Sequence, residues 1–198
     1  MKFRTENFNL LMIVVLIALG FGLTACGDDN DEPEVPVTWS TAYDVNVTFG
    51  PEMFEMADIT AHIAKPDGTV SEEVMLQQNY TLKLTGNKIP DKAGVLFTFV
   101  PKSNVDPDKV YHVLIDGYIR ATSYKNGEVF TSLSPTSIKT SAPIKGSQVE
   151  KYFTGKGVAI TVGISDDGNV TSVNPDQFDF GVNSVWEWLA GVLSGSDK

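Results

Sequence analysis

The sequence predicts an all-β protein, an antiparallel β-sandwich (immunoglobulin-like or related) with a short C-terminal helix. Three observations carry this. Apolar residues recur at every second position, the spacing of a half-buried strand. The runs they form are short and end in Pro, Gly, Asn and Asp. Eight or nine such runs follow one another, joined mostly by tight turns. A barrel is the second choice.

Tyr43, Val45, Val47 and Phe49 alternate with Asp44, Asn46 and Thr48, so one face of this strand looks inward and the other at water. Residues 59–65 and 70–76 flank Pro66-Asp67-Gly68-Thr69, in which Pro presets φ and Gly accepts a positive φ, so these two runs form a hairpin. Residues 80–84 alternate again, 86–94 read as a loop, and 95–100 (VLFTFV) are apolar enough for a strand buried on both sides. A turn at residues 106–109 leads into a β-branched and aromatic run over 110–121, with a bulge or kink expected at Asp116-Gly117. Asn126-Gly127, between Tyr124 and Val129-Phe130, is the strongest short hairpin signal. Residues 132–147, rich in Ser, Thr, Pro and Lys, read as a long crossing loop. The last hairpin joins 158–164 to 170–173 through Asp166-Asp167-Gly168-Asn169.

Ser184-Val185-Trp186-Glu187 has capping-box spacing, which predicts a helix over residues 184–193. Its apolar arc, with Trp186 and Trp188, is wide, and so short a helix is stable only when docked. It is expected to plug an edge or end of the sandwich. A partner or ligand held on part of its face is the alternative.

The chain has 198 residues with 15 bases, 25 acids and a net charge of −10, and no basic block. Nucleic acid is therefore excluded as a partner. The expected organisation is a signal peptide over residues 1–25, an acidic tether over 26–38, and a single domain over 39–198. A core of that size needs no disulfide, and the only cysteine is Cys26.

Lys2 and Arg4 precede an uninterrupted apolar run over residues 10–19 (LLMIVVLIAL), the length of a signal-peptide core and short of the roughly 20 residues that span a bilayer. Leu23-Thr24-Ala25-Cys26 then resembles a lipobox. The resemblance implies cleavage before Cys26 and lipidation of its thiol, with two or three acyl chains giving stable membrane anchoring. Gly27-Asp28-Asp29-Asn30-Asp31-Glu32-Pro33-Glu34 holds five acids and no base, so like charges keep it extended. This stretch is similar to the acidic export signal of Bacteroidetes surface lipoproteins. That implies an outer-membrane protein on the extracellular side, its body at most about 40 Å from the lipid.

No catalytic constellation stands out. His62 and His112 are single residues on expected strands, and two histidines make a poor metal site. There is no G-x-S-x-G, H-E-x-x-H or phosphate-cradling loop. Asp106-Pro107-Asp108 and Asp166-Asp167-Gly168-Asn169 offer oxygens, but turn chemistry explains both, and neither has the calcium-loop order. No cofactor or metal is expected. The functional expectation is a non-enzymatic surface module for binding or adhesion, accessory to glycan capture. Its candidate contact residues are the aromatics Trp39, Tyr118, Tyr124, Trp186 and Trp188. The alternative is a structural subunit of a fimbrial or envelope assembly, pairing with a protein partner through a strand edge or the C-terminal helix.

Overall fold

The computed structural model describes residues 36–182 and the backbone of Glu187 and Trp188. Two sheets pack face to face. The elements in chain order are β1 (Trp39–Phe49), α1 (Pro51–Met56), β2 (Ala57–Ala64), β3 (Val70–Val74), β4 (Asn79–Gly86), β5 (Asp91–Pro101), β6 (Val110–Lys125), β7 (Glu128–Lys145), α2 (Val149–Phe153), β8 (Lys156–Ile164), β9 (Val170–Thr171) and β10 (Glu187–Trp188). The first sheet has the order β4-β1-β6-β7. The second has the order β10-β8-β5-β2-β3, with β9 also pairing β8. Every pairing is antiparallel except that of β10 with β8. Among the described residues no helix is long and apolar enough to cross a membrane.

The period-two pattern is met as expected. Tyr43, Val45, Val47 and Phe49 are at most 2% exposed and meet Ile59, Ala61, Ile63, Val95, Phe97 and Phe99 from the other sheet. Phe49 packs edge-on to Phe97 at 5.1 Å between ring centroids, and Tyr80 to Phe97 at 5.4 Å. One end of the sandwich is plugged by two short helices that the pattern did not announce. α1 buries Met53 and Met56, and α2 buries Val149 and Phe153. The signal for α1 was present in Gly50-Pro51-Glu52: proline suits the first helical position, and an acid suits the first turn. Six residues are too few to show a helical period.

Four local expectations are corrected. The expected loop over 132–147 is strand: β7 runs 18 residues and pairs with β6 almost throughout. It is an edge strand whose half-buried positions Thr136, Ile138, Thr140 and Ala142 alternate with exposed Ser137, Lys139, Ser141 and Pro143. An edge tolerates Pro135 and Pro143 because the ladder needs only one side of the strand. The kink expected at Asp116-Gly117 lies further on, between Ile119 and Ala121 and again between Ser123 and Tyr124, while Asp116 and Gly117 pair regularly with Lys139 and Ile138. The loop over 86–94 shrinks, because β4 runs to Gly86 and β5 begins at Asp91. Most of the expected C-terminal helix lies outside the described residues, but its two described positions are not helical. Glu187 and Trp188 are extended and pair with Lys156 and Gly157. At these two positions the edge of β8 offers backbone partners that a helix would not use.

The two outer faces of the sandwich differ. On the second sheet, Phe178, Phe180 and Val182 of the C-terminal segment cluster with Ala64, Leu96 and Ala159, with Phe178 and Phe180 stacked at 5.5 Å. No such cluster forms on the outer face of the first sheet among the described residues.

Candidate functional site

The outer face of the first sheet is built from the polar half of the alternation. Because β1 buries its odd-numbered positions, Asp44 and Asn46 point outward, and register carries the same face across the sheet. Asn46 lies between Tyr118 on β6 and Thr81 on β4, and Asp44 between Arg120 and Lys83. On β7, Ser137 lies opposite Tyr118 and Lys139 opposite Asp116. A shallow depression of about 170 Å³ is lined by Asp44, Asn46, Thr81, Lys83, Tyr118 and Arg120, with Val45 and Leu82 at its floor.

Tyr118 is 37% exposed, and the Arg120 guanidinium carbon lies 5.8 Å from its ring centroid. The neighbouring cations have partners: Lys83 reaches Asp44 at 3.8 Å and Lys139 reaches Asp116 at 4.0 Å. Among the described residues, the Arg120 side chain makes no hydrogen bond or ion pair, and its guanidinium lies against the Tyr118 ring. An aromatic face beside an unengaged planar guanidinium is chemistry that receives a ring and an oxygen-bearing group together.

The other sequence-level candidates separate. Trp39 sits on the inward side of β1, edge-on to Phe130 at 5.3 Å, so close to Gly168 that a Cβ there would meet the indole at 2.5 Å. It packs between the β6–β7 hairpin and the turn at Gly168, which accounts for its ring without a ligand. Tyr124 is outward and half-buried between Ser40 and Val129. Six residues separate it from Tyr118, about 20 Å along a strand, so the two rings do not contact one sugar. Cys26, Trp186 and the side chain of Trp188 lie outside the described residues.

His112 is bound to α1: its backbone N–H donates to Glu52 Oε2 at 2.5 Å and its Nδ1 lies 3.2 Å from the same oxygen. These hydrogen bonds, the backbone one first, hold the Glu52 carboxyl below its ordinary range. His62 stands in a hydroxyl–imidazole–carboxylate line, with Nε2 3.0 Å from Thr98 Oγ1 and Nδ1 3.2 Å from Glu72, the latter out of line for a hydrogen bond. The order is that of a nucleophilic triad. Thr98, however, is 7% exposed in the middle of a sheet whose backbone N–H groups are committed to the ladder, so no oxyanion donors converge on it. The arrangement ties β3, β2 and β5 together.

The aspartate turns also explain themselves. Asp167 accepts from the Ser165 hydroxyl at 2.5 Å, the Asn169 side-chain amide at 2.7 Å and the Asn169 N–H at 3.2 Å. These bonds hold its carboxyl below the ordinary value. Among the described residues no three His, Cys, Asp or Glu side chains are grouped to hold a metal ion.

One buried acid had no sequence signal. Asp91, 9% exposed at the start of β5, accepts from Thr41 Oγ1 at 2.7 Å and from the Lys92 N–H at 2.8 Å, linking the two sheets. The Tyr43 hydroxyl is buried beside it, near Thr41 and Asp91 but in hydrogen-bond geometry with neither. Burial pushes the Asp91 carboxyl above its ordinary value, against the pull of its hydrogen bonds. Its contribution to stability is therefore greatest below the unfolded carboxyl pKa of about 3.9 and is lost as pH rises through the raised folded value. Asp91→Asn, which keeps the shape without the charge, is expected to flatten this part of the profile and to melt no lower than wild type at pH 7. Thermal denaturation from pH 4 to 8 checks this, and a variant that loses stability mainly at neutral pH contradicts it.

No protein-family model matches this chain, and no curated protein matches it in sequence.

Proposed function

We propose that this protein is a lipid-anchored, surface-exposed glycan-binding module of the outer membrane, non-enzymatic, with the outer face of the first sheet as its binding surface. The observation that carries the reading is the exposed, unengaged Tyr118–Arg120 pair at the centre of a face that no described apolar segment covers. Sugars present an apolar C–H face to an aromatic ring and hydroxyls to planar polar groups. Asn46 and Ser137 flank Tyr118 on the neighbouring strands with an amide and a hydroxyl, and Thr81 lies one strand beyond Asn46. Support for the anchor is the Leu23-Thr24-Ala25-Cys26 motif and the acidic stretch after it. The Thr38 N–H donates to Asn126 Oδ1 at 2.9 Å, so the chain enters the body at the tip of the β6–β7 hairpin. The strands of the open face run away from that point.

The test is a glycan array probed with full-length protein in detergent, beside Tyr118→Ala. The expected result is binding to a subset of polysaccharides that falls about thirtyfold or more in the variant, the effect of truncating a central aromatic anchor worth about 2 kcal/mol, with unchanged melting temperature. Binding that survives the substitution rejects this face as the site. For the anchor, incorporation of labelled palmitate that Cys26→Ala abolishes is the expected outcome.

A second reading, a subunit of a surface assembly, is favoured by the tip of β7, where Val129, Phe130 and Leu133 are 63%, 47% and 53% exposed on an edge strand. Concentration-dependent oligomers that Phe130→Ser dissolves, in a protein that binds no glycan, would replace the first reading with this one.

A further inference from the structure

The charge of the open face is opposite in sign to that of the protein. The chain carries a net charge of −10, yet the outward strand positions of the first sheet hold four cations, Lys83, Arg120, Lys139 and Lys145, against two acids, Asp44 and Asp116. Lys83 and Lys139 are taken up by those two acids. That leaves Lys145, at the far end of β7 opposite Val110, and Arg120, the only arginine after Arg4, whose guanidinium lies against the Tyr118 ring with its donors unengaged. A guanidinium presents a rigid fork of donors matched to two oxygens of a carboxylate or sulfate, which a lysine does not. The long-range field of an acidic protein repels polyanions, so a locally positive face is where one would be received.

We propose that the ligand of this face is a polysaccharide carrying acidic sugars, its carboxylate or sulfate oxygens received by Arg120 and the ring bearing them stacked on Tyr118. The inference rests on the glycan-binding reading and narrows it to one chemical class. Asn46, beside Tyr118 on β1, is placed for a hydroxyl of the same sugar, and Thr81, about 10 Å from Tyr118 on β4, for one of the next sugar.

The experiment measures affinity of full-length protein in detergent for polygalacturonate, a sulfated galactan, neutral dextran and polyglutamate, at low and at physiological salt, for wild type, Arg120→Gln and Tyr118→Ala. The two acidic polysaccharides separate the sources of the oxyanion, and binding of either one supports the proposal. The expected result is binding that weakens as salt rises and falls about tenfold or more in Arg120→Gln, the loss of a charge-assisted hydrogen bond. The melting temperature should not change, because the side chain is exposed. Equal binding of dextran, insensitive to salt and to Arg120→Gln, overturns the acidic-sugar proposal and leaves the glycan reading standing. Binding of polyglutamate as tight as that of the polysaccharides overturns it as well, since the face would then read charge and not sugar. Binding of none of the four overturns it, and the array result then decides the broader reading separately.

Discussion

Phe49→Ala is expected to destabilise the protein by about 3–5 kcal/mol, the range for emptying a buried phenylalanine site. Phe49 is fully buried where β1 gives way to α1, and its ring meets Phe54 at 6.4 Å, Phe97 at 5.1 Å and Phe99 at 6.4 Å, all edge-on. Removing it takes one partner from three ring contacts at once and undermines the helix that closes this end of the sandwich. Domains of this size have about 5–15 kcal/mol in total, so the variant loses a large share of its stability. Urea denaturation followed by tryptophan fluorescence measures it, and a loss below 1 kcal/mol would show that the end of the sandwich repacks.

Gly117→Ala should be almost as damaging, by about 1–3 kcal/mol for overpacking, and it acts under the face proposed to bind glycan. A Cβ at Gly117 would lie 2.6 Å from Asn46 O and 2.9 Å from Val47 Cα, with Val47 Cγ2 at 2.8 Å. Two of these three neighbours are backbone of the adjacent strand, so relief requires β1 and β6 to separate in the row next to Tyr118. The expected outcome is lower stability together with weaker glycan binding. Faster hydrogen exchange of the Asn46 and Val47 amides would trace both to the strand contact. Exchange unchanged at those amides would place the cause elsewhere.

The conformation of Gly117 was misread from sequence for an instructive reason. Glycine in a strand marks either a bulge or a close approach, and composition alone does not separate them. The structure has the close approach at Gly117 and the irregularity three residues later, around Arg120. β7 teaches the same lesson about edges. Its Thr136-Ile138-Thr140-Ala142-Ile144 alternation is visible in retrospect, but small polar outward residues and two prolines gave it the composition of a loop. Only a pairing partner distinguishes the two. The central strands were legible because burial of one face forces strict alternation. The short helices were not, since each is shorter than two turns.

The candidate site was legible in part. Tyr118 was a candidate as an aromatic, and the structure puts it on the open face, whereas Trp39 turns inward because it has the parity of Tyr43 and Val45. Arg120 had no signal by itself. Its significance comes from the strand, which puts it on the same face as Tyr118, and from pairings that occupy Lys83 and Lys139 and leave its guanidinium unengaged. Asp91 was invisible for the same reason: an acid in an expected loop says nothing of a threonine fifty residues away that meets it in the core.

The most direct test of the account is hydroxyl-radical footprinting of the full-length protein with and without a saturating bound polysaccharide from the array. Loss of labelling at Tyr118, with labelling at Phe130 and Leu133 unchanged, is the predicted result. Protection of Phe130 and Leu133 with Tyr118 still fully labelled would contradict it and move the binding surface to the edge of β7.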